Sequence, residues 1–272
     1  IIYNGEIYNY KKLKERFFSK TKFKSTGDGE IILHLYLKFG KNFIKHVKGM
    51  FSICIIDERK KKVILIRDRF GIKPLYYFYD NINERLIFCS EIKGITSTKY
   101  YHKDINEKEV YLYLKKGFIN STNETWFKNI FQVPPGSYLE YSQNKIIVKK
   151  YYELKNNVDE KIDDERISYK ETLNNIYQKI CLSFQEHLQF DVNAGIHISS
   201  GVDSALIAAL TKIHNLENIK SYTFTYENKI YSELENAKKI ANSVNLENKS
   251  STLKDNEVEK FLYKVLNSEY EP

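Results

Sequence analysis

The sequence lacks the marks of several large protein classes. No stretch reaches the roughly 18 consecutive apolar residues of a membrane-spanning helix. No charged-then-apolar leader with a small-residue cleavage site opens the chain. Neither a membrane protein nor a secretory precursor is expected. Three cysteines in 272 residues are too few for a disulfide framework. Cys54, Cys89 and Cys181 each sit in an apolar run or a helical pattern and read as buried thiols. No cysteine pair has metal-ligand spacing, and the six histidines do not cluster. A reducing, cytoplasmic setting is expected. There is no initiator methionine either: the chain begins Ile1-Ile2-Tyr3-Asn4, which we read as a missing true start.

What is present fits a soluble chain with a real core. Hydrophobic residues make up 42% and charged residues 29%, enough for one large domain or two ordinary ones. The net charge is +8. The excess is lysine, scattered apart from short runs such as Arg59 to Lys62, in a chain also rich in Ile, Asn and Tyr. No basic region interleaves with aromatics in a binding pattern, so nucleic acid is not an expected partner.

Periodicity divides the chain. Apolar spacing predicts helices over Tyr8–Phe18 and Glu30–Phe39, the second stopped by Gly40. Strand-like runs follow at Met50–Asp57, Lys62–Arg67, Pro74–Tyr79 and Arg85–Ser90, with a turn at Asp68–Lys73. Glu107–Lys116 reads as a helix, and Ser137–Tyr141 with Lys145–Tyr151 as a hairpin around Gln143-Asn144. Asn156–Glu165 is polar and serves as the expected linker. Beyond it helices (Ile167–Gln189, Ser204–Ile213, Glu233–Val244) alternate with short strands (Gly195–Ile198, Ile219–Thr225), the pattern of a parallel sheet. The expectation is an α+β domain over residues 1–155, with antiparallel sheets and helices, then an α/β parallel-sheet domain over 166–272.

The sharpest physical signal is Ser199-Ser200-Gly201-Val202-Asp203-Ser204, between a strand and a helix. Free N–H groups at a helix start form an anion site, and the hydroxyls of Ser199, Ser200 and Ser204 add donors. Asp203 would repel a bare phosphate, and fits if it holds a Mg²⁺ that bridges phosphates. The segment is neither a Gly-Lys-Ser/Thr phosphate loop nor a three-glycine dinucleotide loop. An ordinary strand-to-helix turn, with Asp203 or Ser204 near a cap position, fits equally.

That segment resembles the Ser-Gly-Gly-x-Asp-Ser loop of the ATP pyrophosphatases, with Ser200 where the family has glycine. Asn4-Gly5-Glu6-Ile7-Tyr8-Asn9 resembles the Asn-Gly-Glu-Ile-Tyr-Asn segment of class II glutamine amidotransferases. Asp28 matches that family's Ser-Asp-x-Glu segment, with Gly27 and Gly29 departing from it. Arg67-Asp68-Arg69, Gly71, Lys73-Pro74-Leu75-Tyr76-Tyr77, Ser90-Glu91 and Pro134-Pro135-Gly136 resemble further blocks in the same order. Arg67 and Asp68 read as a structural ion pair in a turn, Pro134-Pro135-Gly136 as a plain turn. Tyr231-Ser232-Glu233 resembles a Tyr-Asp-Glu segment, with a helix cap as the plainer alternative.

The pairing of both modules is similar to the glutamine-hydrolysing asparagine synthetase family, cut at both ends. The resemblance implies an Ntn-hydrolase-like first domain and an adenine nucleotide α-hydrolase-like second one. It implies Asn4 and Gly5 as oxyanion donors, Glu6 and Asp28 as grips on glutamine, and Ser199 to Ser204 as the ATP site with Asp203 on Mg²⁺. Glutamine would supply ammonia, and aspartate, activated by ATP, would accept it. The family's nucleophile, an N-terminal cysteine, is not in this chain. A related amidotransferase acting on another carboxylate and a non-catalytic homologue are the alternatives, and a homodimer is left open.

Overall fold

Side-chain alternation decides the first half of the molecule. The computed structural model describes residues 1–118, 122–157, 168–188, 194–216, 219–228 and 230–269. The chain divides into two units, Ile1–Ile162 with Leu266–Pro272, and Asp163–Val265. The expected linker lies almost wholly outside the described residues.

In the N-terminal unit the elements run β1 (Ile2–Ile7), α1 (Tyr10–Phe18), α2 (Glu30–Phe39), β2 (Gly49–Asp57), β3 (Lys62–Arg67), β4 (Tyr76–Asp80), β5 (Arg85–Cys89), α3 (Ile92–Thr96), α4 (Glu107–Lys116), β6 (Ile130–Gln132), β7 (Ser137–Ser142) and β8 (Lys145–Lys150). Two antiparallel sheets result, one of five strands in the order β1-β2-β3-β7-β8 and one of three in the order β5-β4-β6. Successive residues on a strand face opposite ways. Ile53, Ile55, Ile64 and Ile66 therefore bury against Leu13 of α1 and Ile31, Ile32 and Leu35 of α2. Their neighbours Cys54 and Leu65, with Leu139, face the other way and meet Leu75, Val133, Tyr77, Leu86 and Phe88. Ile92 and Ile95 of α3 cover the far side of the small sheet, against Tyr76, Phe78 and Ile87. The layers are helix, sheet, sheet, helix. Each buried Ile or Leu contributes about 1.5–3 kcal/mol. The β7–β8 hairpin turns on Gln143 and Asn144, both at positive φ, as an Asn-containing two-residue turn requires.

The C-terminal unit holds α5 (Tyr169–His187), β9 (Gly195–His197), α6 (Val202–Ile213), β10 (Lys220–Tyr226), α7 (Leu234–Ser243), β11 (Asn248–Leu253) and α8 (Val258–Glu269), the last running past the unit boundary. The three strands pair in parallel in the order β11-β10-β9. The core packs Ile198 against Ala208 of α6 and Ala237 and Ala241 of α7, with Ile196, Ile240, Val244 and Leu246 around them. Ser168 caps α5 by accepting the Glu171 N–H.

Several elements differ from the sequence expectation. α6 starts at Val202, two residues early, so Gly201 takes the cap position and neither Asp203 nor Ser204 does. β1, α3, β6, β11 and α8 were not foreseen. In β10 Ser221, Thr223 and Thr225 are buried, while Tyr222, Phe224 and Tyr226 are about half exposed. The buried hydroxyls are paired, Ser221 to the Glu247 carbonyl, Thr223 to the Ile198 carbonyl and Thr225 with Ser232. Cys54 is buried as expected, whereas Cys89 and Cys181 are half-buried. No described helix is long and apolar enough to cross a membrane.

Candidate functional site

Asn4, Gly5 and Glu6 lie on β1, an edge strand whose inner neighbour is β2. Gly5 has φ +145°, and a Cβ there would sit 2.1 Å from the Met50 carbonyl oxygen. Only glycine allows β1 and β2 to close at that point. Asn4 shares its strand face with Ile2, opposite Ser52 and Cys54. Its Nδ2 donates to Ser90 Oγ over 3.3 Å. Asn4, Ile2, Ser52, Cys54, Leu75, Phe88 and Ser90 line a recess of about 290 Å³. Burial pushes the Cys54 thiol up to about 11, so it is protonated at neutral pH and a poor nucleophile. Glu6 is half-buried, and its carboxylate makes no hydrogen bond among the described residues.

Asp28 docks on the same strand from the loop before α2. Its Oδ2 accepts the Tyr3 hydroxyl and the Ile7 N–H, each over 2.6 Å, and its Oδ1 accepts nothing among the described residues. Burial, then the Asp28 hydrogen bond, pushes the Tyr3 phenol far above its ordinary range. The structure thus brings Asn4, Gly5, Glu6 and Asp28 onto one strand and its edge. Tyr3 as the Asp28 anchor and Ser90 as the Asn4 partner were missed in the sequence. Tyr3 adjoins the Asn-Gly-Glu run, and Ser90 lies in a block that was singled out, but neither pairing shows in local sequence.

Arg67 and Asp68 do not form the expected ion pair. The Arg67 guanidinium donates to the carbonyls of Lys73, Gly71 and Val133 and to Gln132 Oε1, at 2.9–3.0 Å. Burial lowers its pKa. The fully buried Asp68 carboxylate accepts the N–H groups of Phe51, Phe70, Ile72 and Lys73. The Asp68 charge is met by main chain alone, and the Arg67 charge by three carbonyls and the Gln132 side chain. Gly136, at φ +62°, completes the knot, its N–H donating to the Asp68 carbonyl. Glu91 is exposed at the start of α3, without a side-chain hydrogen bond among the described residues.

The Ser199–Ser204 loop is built differently. Ser204 Oγ lies 3.0 Å from Ser199 Oγ and donates within reach of the Ser199 and Gly201 carbonyls. Ser199 Oγ in turn accepts the Gly201 N–H. These hydroxyls tie Ser199, Gly201 and Ser204 to one another within the loop. The N–H groups of Val202, Asp203 and Ser204, in the first turn of α6, take no partner among the described residues. Ser200, Gly201, Val202 and Asp203 are exposed, and the Asp203 carboxylate makes no hydrogen bond or ion pair there. Glu233, at the start of α7, reaches over: its Oε2 accepts the Ser200 N–H at 3.1 Å. Glu233 holds the N-cap position of α7, as the helix-cap alternative expects, but its side chain makes no cap bond to that helix. The loop lies beyond the carboxyl end of a parallel strand, where open α/β sheets bind ligands.

No three His, Cys, Asp or Glu side chains gather as a metal cluster among the described residues. Unpaired amides beside one partnerless carboxylate fit a divalent cation held jointly with phosphate oxygens better than a cation held by protein alone.

Comparison with known proteins bears on both regions. Residues 1–152 match the family described as glutamine amidotransferase domain, and residues 176–270 the family described as asparagine synthase. The chain is 36% identical over 241 residues to asparagine synthetase (glutamine-hydrolyzing) 2 of Bacillus subtilis, covering 85% of this chain and 32% of that protein. It is 33% identical over 233 residues to a putative asparagine synthetase (glutamine-hydrolyzing) 2 of Methanocaldococcus jannaschii, covering 84% of this chain and 43% of the relative. Against Amidase chyE of Penicillium rubens it is 28% identical over 210 residues, 77% of this chain and 30% of that one. The chain spans less than half the length of these curated relatives.

Proposed function

The chain belongs to the glutamine amidotransferase family through residues 1–152 and to the asparagine synthase family through residues 176–270, and from that premise we propose that it serves a glutamine-dependent, ATP-consuming asparagine synthetase. Glutamine is the amido donor, aspartate the acceptor and ATP the activating substrate. The observation that carries the reading is the exposed turn of Val202, Asp203 and Ser204 amides with a partnerless Asp203 carboxylate, in the same chain as the Asn4-Gly5-Glu6 strand.

In this reading Ser199, Ser200, Gly201, Val202, Asp203 and Ser204 seat the phosphates of ATP. The amides and hydroxyls bind and orient the anion, and the α6 dipole favours its charge. Asp203 is the residue that would hold Mg²⁺, which when bound neutralises charge that builds on phosphate oxygens. At the other region Asn4 Nδ2 and the Gly5 N–H are the donors for the oxyanion that develops on the glutamine amide. Glu6 and the unengaged Oδ1 of Asp28 are the groups for the glutamine ammonium. The two-layered sheet core between helices supports an Ntn-hydrolase-like architecture for this domain. A second reading is transfer to a carboxylate other than aspartate, since the relatives include one named an amidase and not an asparagine synthetase.

Asp203→Ala in the full-length protein tests the first region. ATP–pyrophosphate exchange should vanish while glutaminase activity persists. Exchange that continues at the wild-type rate removes Asp203 from metal binding and leaves the loop as a plain turn. A product assay with aspartate, glutamine and MgATP separates the two acceptor readings.

A further inference from the structure

Glu233 is a carboxylate placed where an anion is expected. It immediately precedes α7, and its Oε2 accepts the Ser200 N–H at 3.1 Å, across 33 residues of sequence. The segment is pinned there: the neighbouring Ser232 hydroxyl is 2.8 Å from Thr225 Oγ1 near the end of β10. Of the loop's exposed amides, that of Ser200 is therefore already occupied by a negatively charged oxygen, while those of Val202, Asp203 and Ser204 are vacant among the described residues. Oε1 of Glu233 makes no hydrogen bond there.

We propose that Glu233 is a specificity-determining residue of the phosphate loop, which makes it prefer metal-complexed pyrophosphate or nucleotide to the metal-free anion. The inference rests on the loop being the phosphate seat. A metal-free polyphosphate entering it meets two carboxylates, Asp203 and Glu233, and must compete with one of them for the Ser200 amide. Discrimination of this kind comes from repulsion of the wrong ligand as much as from attraction of the right one. A divalent cation carried by the phosphates offsets both charges, and the unengaged Oε1 then faces a cation instead of an anion. Because Glu233 is exposed, solvent screens the effect, which limits it to roughly tenfold. Ser200 in place of glycine does not disturb this arrangement, since the contact is to its main chain.

The test is calorimetric titration of the full-length protein with inorganic pyrophosphate, once with excess Mg²⁺ and once with EDTA, for wild type and Glu233→Gln. Glutamine keeps an oxygen acceptor for the Ser200 N–H and removes the charge. The substitution should tighten metal-free pyrophosphate binding about tenfold and change the Mg²⁺ complex by less than about threefold, and the difference should shrink at high salt. Glu233→Ala, which removes acceptor and charge together, should relax the preference in the same direction while its far-UV circular dichroism matches wild type. If wild type binds pyrophosphate and the ratio of the two affinities is the same in both variants, the assignment of Glu233 is overturned and the loop reading survives. If no variant binds pyrophosphate in either condition, the loop reading fails and this inference fails with it.

Discussion

Two segments that leave a strand in this molecule carry an aspartate, one in a turn and one in the first turn of a helix, and they use it in opposite ways. After β3, Asp68 gives its whole carboxylate to four N–H groups of its own surroundings and is fully buried. After β9, Asp203 is exposed with no partner among the described residues, and three neighbouring amides are equally unclaimed. A buried polar group must be satisfied within the fold. One left unsatisfied at the surface, beside other donors, is available to a ligand. The contrast separates architecture from site without reference to any relative. It also explains why the Arg67–Gly71 block, for all its charge, is scaffold: the buried Arg67 guanidinium spends four of its five N–H donors on the fold itself.

The largest effect that could break this contrast is on stability. Asp68→Ala orphans four main-chain N–H groups beside the sheet, and should cost about 3–5 kcal/mol in urea unfolding. Asp203→Ala, the matched control, should stay within about 0.5 kcal/mol. Equal shifts for the two variants would show that Asp203 is also structural.

The next largest effect is catalytic and tests whether the N-terminal unit holds a site as well as scaffold. Asn4→Ala should lower glutaminase turnover roughly 10²–10³-fold, the usual loss for one oxyanion donor, and leave ammonia-dependent synthesis intact. The competing role is visible in the 3.3 Å contact to Ser90. If both activities fall together, Asn4 merely ties β1 to the end of β5.

How much could be read from sequence follows the same divide between local and distant partners. Helices α2 and α4 were legible to the residue, because each has an apolar stripe and ends at a glycine, Gly40 and Gly117, with positive φ. Strands β2 and β3 announced themselves through apolar runs. β1 did not, since Ile2–Ile7 is a half-polar edge strand interrupted by Gly5, which reads as a breaker. β11, Asn248–Leu253, is rich in Ser and Lys and offers no apolar signal. The Ser199–Ser204 loop stood out as a strand-to-helix connection because its six residues are contiguous. The contact that ties Asp28 to β1 was not legible, because Tyr3 and Asp28 are 25 positions apart. Adjacent Arg67 and Asp68 misled for a geometric reason: neighbours on an extended backbone project to opposite sides, so sequence adjacency argues against their pairing.

The smallest expected effect sharpens the contrast through the solvent. Cys54 lies between the two sheets of the N-terminal unit, and burial raises its thiol from 9.0 to about 11. The native state therefore keeps a proton that the unfolded chain releases at lower pH. This contribution is fully present below pH 9 and is lost as pH rises through about 11. The stability of the N-terminal unit should fall by on the order of 1 kcal/mol between pH 8 and 10 from this group. Cys54→Ala should flatten that slope, whatever its effect on stability at neutral pH. Urea unfolding at several alkaline pH values measures both. An unchanged slope in Cys54→Ala would mean that water reaches the recess beside Asn4, and that this part of the inter-sheet layer belongs with the open site and not with the sealed scaffold.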